Sequence, residues 1–203
     1  MPTSPSIRLA TPADGPAIAR IYAPAVVERA TSFELEPPDG AEMARRVERT
    51  MTRTPWLVCE HGGAVAGYAY AGPYRERAAY RWSVEVSAYV GSDAQRAGVA
   101  RALYTSLLAI LTLQGYRTAY AGIALPNAAS VGLHEALGFA PIGIFHGAGY
   151  KLGAWHDVAW YERALAARRA DPPDPIALPD IRDTAAFAEA LAAGRALLRL
   201  ATR

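Results

Sequence analysis

The chain has 203 residues, with 21 Lys and Arg against 19 Asp and Glu for a net charge of +2, and 52% of it is apolar. This is a globular balance with room for one core-bearing domain and an appendage, and it holds no polybasic arm of the kind that grips nucleic acid. The only cysteine, Cys59, excludes an intrachain disulfide, a CxxC redox pair and a cysteine-rich zinc site. Met1 to Ser6 lacks the apolar stretch of a secretory leader, and no run nears the ~20 apolar residues of a membrane span, so a cytoplasmic setting is expected.

Ile7 to Ala10 reads as a first strand. Thr11 is then a candidate N-cap with Pro12 at the first helical position, and Ile18, Ile21, Tyr22, Ala25 and Val26 recur at helical spacing. Thr31 to Pro38 is a loop, and Asp39 to Thr52 a more polar helix. Trp56 to Glu60 and Ala64 to Ala71 are apolar strands joined by Gly62-Gly63, a hairpin signal. After a polar loop, Gly72 to Ala79, a strand is expected over Tyr80 to Val90. It sends Val84, Val86, Ala88 and Val90 to one face and Glu85, Ser87 and Tyr89 to the other.

A loop, Gly91 to Gly98, leads into a long helix with Leu103, Leu107, Ile110, Leu111 and Gln114 on one side, ended by Gly115. Arg117 to Leu125 is a strand, Asn127 opens a short helix that closes at Gly138, and two strands follow over about Pro141 to Ala148 and Trp155 to Glu162. Asp171 to Asp180, with Pro172, Pro173, Pro175 and Pro179, reads as a semi-rigid linker. Asp183 to Thr202, rich in alanine and leucine, reads as a C-terminal helix. Strands in series with interleaved helices predict a mixed α/β (α+β) layered fold.

The loop Gln95-Arg96-Ala97-Gly98-Val99-Ala100 carries the chemistry. Small residues at Gly98 and Ala100 admit a ligand close to the backbone. The free N–H groups and positive dipole end of the helix favour an anion, and Arg96 adds a cation at the rim. Diphosphate is the natural ligand of such a loop; an ordinary strand–helix turn is the alternative. Neither the Gly-Lys-Ser/Thr of a P-loop nor the GxGxxG of a dinucleotide fold is present.

Gln95 to Ala100 resembles the Q/R-x-x-G-x-G/A diphosphate motif of the GNAT superfamily, with alanine last. Asn127 to Phe139 (NAASVGLHEALGF) resembles the same superfamily's Asn-helix-Gly-Phe segment. Within that superfamily, the phosphinothricin and methionine sulfoximine acetyltransferases are resembled by five segments. These are Thr31 to Glu34 with Pro37, Ala71 to Arg75, Val84 to Val90, His134 to Phe139, and Gly149 to Val158. The likeness covers roughly residues 6 to 163. It implies the GNAT acyltransferase fold, a central twisted, mostly antiparallel sheet flanked by helices. It also implies acetyl transfer from acetyl-CoA, without a metal, to the amino group of a small amino-acid-like substrate, and a homodimer. The domain expectation is a GNAT domain over 1–165, a Pro-rich linker over 166–182 and a C-terminal helix over 183–203, the last not expected from the family.

An amine arrives mostly as ammonium and must lose a proton before it attacks a thioester. Glu85 is the expected general base, the role of the matching family glutamate; a strand glutamate facing solvent is the alternative. The resemblance places the cofactor along Ala88, Tyr89 and Val90, with a backbone N–H polarising the thioester carbonyl, and against Gln95 to Ala100, Asn127 and Ser130. His134 stands where many GNAT enzymes have a tyrosine near the CoA sulfur, to give the leaving thiolate a proton; a capping or surface histidine is the alternative. Phe33, Tyr74, Arg75, Arg77 and Tyr80 are the substrate candidates, because forked arginines suit carboxylate and phosphinate oxygens. Arg81, Glu34, Leu35 and Ala88 depart from the family and leave the acceptor open. Polyamine, aminoglycoside or protein N-terminal acceptors, or a non-catalytic acyl-CoA-binding module, are the other readings.

Overall fold

The computed structural model describes residues 4–200. Strand β2 (Trp56–His61) shows why a sheet forms with both faces covered: Trp56, Leu57, Val58 and Cys59 are consecutive and all buried, a run that no half-exposed strand would carry. Around it runs a seven-stranded sheet in the order β1-β2-β3-β4-β5-β7-β6, formed by β1 (Ser6–Leu9), β2, β3 (Ala64–Pro73), β4 (Ser83–Val90), β5 (Thr118–Ala124), β6 (Ala140–Lys151) and β7 (Ala154–Ala164). Every neighbouring pair is antiparallel except β4 with β5. The mixed, mostly antiparallel sheet anticipated from the sequence is the one observed.

One face is covered by α1 (Gly15–Val27) and α2 (Gly40–Met51), whose Ile18, Val26, Met43 and Val47 pack with Trp56, Val58 and Tyr68. Asp39 caps α2 by accepting the Glu42 N–H at 2.7 Å. The other face is covered by α3 (Val99–Gln114) and flanked by α4 (Ala128–Ala136). Leu103, Leu107, Ile110 and Leu111 of α3 are fully buried, as the helical spacing predicts, each stabilising the fold by about 1.5–3 kcal/mol. Ala102, Tyr104 and Leu108 are buried too, because α3 is covered on its outer side as well.

That outer cover is the C-terminal segment. Leu178 and Ile181 of the one-turn α5 (Leu178–Ile181) and Phe187 of α6 (Ala185–Ala192) join the main core. The Gln114 side-chain amide donates to Arg53 O at 2.7 Å and Ile176 O at 2.8 Å. The single helix suggested over Asp183 to Thr202 is instead α6 followed by a 3-10 turn, Arg195–Leu197, with a break at Gly194; residues 201–203 lie outside those described. No helix among the described residues is long and apolar enough to cross a membrane.

Two boundaries differ from expectation. Thr11 precedes a 3-10 turn, Pro12–Asp14, and α1 starts only at Gly15. The Asp14 carboxylate accepts the Thr11 N–H at 2.7 Å, and Arg8 pairs with it at 2.8 Å. The strand expected from Tyr80 begins at Ser83, because Ala78–Tyr80 is a 3-10 turn. Arg81 is there tied to Asp174 at 2.9 Å, and the Trp82 indole donates to Pro173 O at 2.8 Å. The Pro-rich segment holds the chain that the sequence alone assigned to a strand.

Candidate active site

The parallel pair β4–β5 is short. Ser83, Val84 and Glu85 pair with Thr118, Ala119 and Tyr120, and pairing stops there. On its other side β4 stays paired with β3 from Val84 to Val90. The far edge of β4 therefore loses its strand partner just beyond Glu85. Unpaired backbone groups are strong hydrogen-bonding sites, and an extended ligand can pair with them as an added strand. A cavity of about 1010 Å³ fills the parting, with Val86 to Val90 on one wall and Ala121 to Ala124 on the other.

At the other end lies the loop before α3. Arg96 and Gly98 take left-handed φ values of +62° and +79°. For Arg96 this conformation is sparsely populated and must be held by its surroundings. Gln95, Arg96, Gly98, Val99 and Ala100 line the cavity; Ala97, expected with them, does not. The first N–H groups of α3 begin here without intrahelical partners, so the cleft and a helix start of the kind that favours anions are one continuous space.

Glu85 and His134 approach the parting from opposite faces. Glu85 shares its face with Tyr70 and Tyr89 and sits opposite Gly72, where an added Cβ would meet nothing within 4 Å. It is half-buried, and desolvation raises its pKa above the usual carboxylate range, opposed by the Arg75 cation. Glu85 is not itself on the cavity wall; it stands at the wall's near end. His134 is 4% exposed, lines the cavity, and packs between Tyr104 and Phe139 with ring centroids at 5.3 and 5.1 Å. Its Nδ1 lies 2.7 Å from Ser130 O, which makes Nδ1 the protonated nitrogen, and Nε2 is buried without a partner. Burial lowers its pKa, the Ser130 carbonyl opposing, so the neutral ring with an acceptor Nε2 is favoured.

Asn127 caps α4 by accepting the Ser130 N–H at 3.1 Å, and both residues also line the cavity. The acceptor candidates fall into separate groups. Tyr74 stacks on Tyr120 at 4.2 Å and meets Tyr80 edge-on at 5.8 Å, and the Arg75 guanidinium lies 4.3 Å from the Tyr74 centroid and 5.7 Å from that of Trp160. Phe33 belongs instead to the β6–β7 hairpin, packed on Gly149 and 6.3 Å from the His156 ring. The Lys151 ammonium ties the same hairpin to the α1–α2 loop by donating to Ser32 O at 2.6 Å. Arg77 is exposed at the cap of the Ala78–Tyr80 turn.

Two departures from the family pattern find structural roles. Arg81 is engaged by Asp174, and Glu34 pairs with Arg46 at 2.7 Å while accepting the Tyr22 hydroxyl at 2.9 Å. Reading the sequence missed Tyr104, Tyr120 and Trp160. Tyr104 sits in the apolar stripe of α3 and reads as core. Tyr120 and Trp160 become visible only when β5 and β7 are paired, with Trp160 opposite Gly122. Among the described residues no three His, Cys, Asp or Glu side chains gather as a metal site would need.

The model of the acetyltransferase (GNAT) domain matches residues 7–160. The phosphinothricin N-acetyltransferase of Streptomyces viridochromogenes is 44% identical over 170 residues, which are 84% of this chain and 92% of that protein. The L-methionine sulfoximine/L-methionine sulfone acetyltransferase of Salmonella typhimurium is 35% identical over 161 residues, 79% of this chain and 94% of the relative. Among solved structures, a GNAT superfamily phosphinothricin acetyltransferase from Sinorhizobium meliloti in complex with AcCoA is similar at a TM-score of 0.80 and 36% identity, over 88% of this chain and 98% of that one.

Proposed function

The chain belongs to the GNAT acetyltransferase family, and we propose that it moves the acetyl group of acetyl-CoA to the amino group of a small amino-acid-like substrate of the phosphinothricin, methionine sulfoximine or methionine sulfone type. The observation that carries this reading is the parting of β4 from β5 just beyond Glu85, which puts a half-buried carboxylate at the near end of a cleft whose far end is an anion-binding helix start.

The residues suit the cosubstrate. The free edge of β4 at Val86 to Val90 offers strand-like pairing to the pantetheine arm, and Gln95 to Ala100 offer backbone N–H groups to the diphosphate. When bound, acetyl-CoA supplies an acyl group activated as a thioester. Glu85 takes one proton from the acceptor ammonium, directly or through a water, and its raised pKa strengthens it as a base. A backbone N–H of the Tyr89–Val90 stretch polarises the thioester carbonyl. The second proton lost by the nitrogen ends on the sulfur. His134, neutral with Nδ1–H spent on Ser130 O, is assigned as the acceptor that holds the product thiol through Nε2 and not as the acid that protonates it. Arg75, on its aromatic platform, receives the acceptor's acidic end. Arg77, exposed at its turn, and Phe33, packed on the β6–β7 hairpin, are given no contact with the acceptor.

The reading extends to assembly and setting. Ile142, Ile144, Phe145, Tyr150, Leu152 and Trp155 are exposed along edge strand β6 and the turn into β7, a row that supports a homodimer with this edge covered. The single buried cysteine suits a reducing cytoplasm.

The test is acetyl-CoA consumption against a panel of phosphinothricin, methionine sulfoximine, methionine sulfone and spermidine, with Glu85→Gln alongside. Turnover should favour the three carboxylate-bearing acceptors over spermidine and fall by roughly 10²–10⁴-fold in Glu85→Gln, with acetyl-CoA affinity unchanged. Undiminished turnover in Glu85→Gln removes the base, and preference for spermidine removes the acceptor.

A further inference from the structure

We propose that the C-terminal segment, residues 176–200, is a strap that holds the diphosphate loop in its ligand-ready form through the backbone N–H of Arg199; this rests on the loop being the CoA diphosphate site. The strap lies beyond the residues that the family model matches. It runs back along α3 from end to start. Ile176 N–H donates to Gln114 O at 2.8 Å at the helix end. Midway, Ser106 Oγ donates to Leu191 O at 2.8 Å and accepts the Gly194 N–H at 3.1 Å. At the start, Arg199 N–H donates to Ala97 O at 2.9 Å.

The seating leaves no slack. A Cβ built on Gly194 would lie 1.9 Å from Ala102 O, and one built on Gly98 would lie 2.3 Å from Leu197 O. At both points backbone meets backbone, so neither position admits a larger residue without moving α3 or the strap. The register that these contacts set brings the Arg199 N–H onto the loop.

The point of attachment is informative. Of residues 95 to 100, Ala97 alone does not line the cavity, and its carbonyl is the one the strap holds. Its neighbours Arg96 and Gly98 are both left-handed, a conformation that glycine adopts freely but that Arg96, with its Cβ, does not keep by preference. The strap grips the loop from behind while its ligand-binding side stays open to the cleft. A loop already held in its bound shape takes up its ligand without an ordering cost, so the strap acts on cofactor affinity and not on the chemical step. By linkage the ligand must stabilise the strap to the same degree.

The experiment uses the full chain with two substitutions at one residue. Arg199→Pro deletes the N–H, and Leu198, at φ −71° and ψ 126°, already has the backbone a residue before proline adopts. Arg199→Ala keeps the N–H and loses the charge. Calorimetry with CoA, kcat at saturating acetyl-CoA and KM for the acceptor are measured for each. Loss of one hydrogen bond of this kind should weaken CoA binding about three- to tenfold in Arg199→Pro. Arg199→Ala should bind as the parent does, and kcat and acceptor KM should stay fixed in both. Equal weakening in both variants would assign the effect to the cation and overturn the strap. So would unchanged binding in Arg199→Pro, or a fall in kcat at saturation. If the parent chain itself does not bind CoA, the reading of the loop fails first, a separate result.

Discussion

Replacing Arg75 by alanine should produce two separable effects whose sizes follow from its surroundings. In the free protein the guanidinium is exposed over Tyr74 and Trp160 and donates to Tyr74 O at 2.9 Å. An exposed cation–π contact contributes about 0.5–1 kcal/mol, so the melting temperature should move by only a few degrees. With an anionic acceptor bound, the same fork makes a sheltered, charge-assisted pair of about 1.5–3 kcal/mol, and its loss should raise the acceptor KM about ten- to a hundredfold. The second effect is on pH. Arg75 is the cation that draws Glu85 down against desolvation, so without it the carboxyl pKa rises further. The base works as carboxylate, so activity is lost as pH falls through that pKa, and the acid limb of kcat/KM must shift to higher pH in Arg75→Ala. Arg75→Lys keeps the charge and loses the fork: its acid limb should stay in place while its KM takes an intermediate value. Initial-rate pH profiles of the three proteins decide the matter. An Arg75→Ala enzyme with parental KM and a parental acid limb would refute both the acceptor contact and the electrostatic link.

Two further outcomes follow. The Asp14 carboxyl pKa is lowered by its hydrogen bonds and charge pairing with Arg8, so its stabilisation is present above the ordinary carboxylate pKa and is lost as pH falls through the depressed value. Urea unfolding at stepped acid pH should show a shallower acid loss in Arg8→Ala than in the parent, and an identical slope would remove this pair from acid stability. For the assembly, sedimentation should give the mass of two chains for the parent and one for Ile144→Asp, whose exposed site costs the monomer little; an unchanged mass would place the interface elsewhere.

The local signals were the legible part of this chain. Leucine spacing located α3 and Gly115 its end, the Val84–Val90 alternation gave both faces of β4, and the small residues at Gly98 and Ala100 marked the helix start that opens on the cleft. What stayed hidden depends on pairing between distant segments. That β4 and β5 run parallel for three residues and then part is a property of two strands, and neither one's composition carries it. Arg81 reads as a loop cation until the Pro-rich segment folds back and sets Asp174 against it. Tyr104 reads as core because its burial pattern is that of core; only the parting of the sheet turns it into a cavity residue. The C-terminal run was alanine-rich enough to suggest one helix, and Gly194, which lies between α6 and the 3-10 turn, is explained by the α3 carbonyl beneath it.

The parting of the sheet also fixes the electrostatics on which the proposed chemistry depends. Burial drives Glu85 up and His134 down, so the near end of the cleft resists net charge of either sign. The cation that opposes the desolvation of Glu85 is one exposed arginine, so the carboxylate is short of countercharge, and an incoming ammonium supplies it. Once the two are together in a poorly solvated setting, moving the proton from nitrogen to carboxylate replaces an ion pair by two neutral groups, an exchange that water would oppose and a low-dielectric site favours. In the proposed mechanism, the burial that makes Glu85 costly to ionise is therefore what would make the bound amine nucleophilic. A more solvated carboxylate at the same place, with its pKa in the ordinary range, would bind the ammonium and leave it protonated.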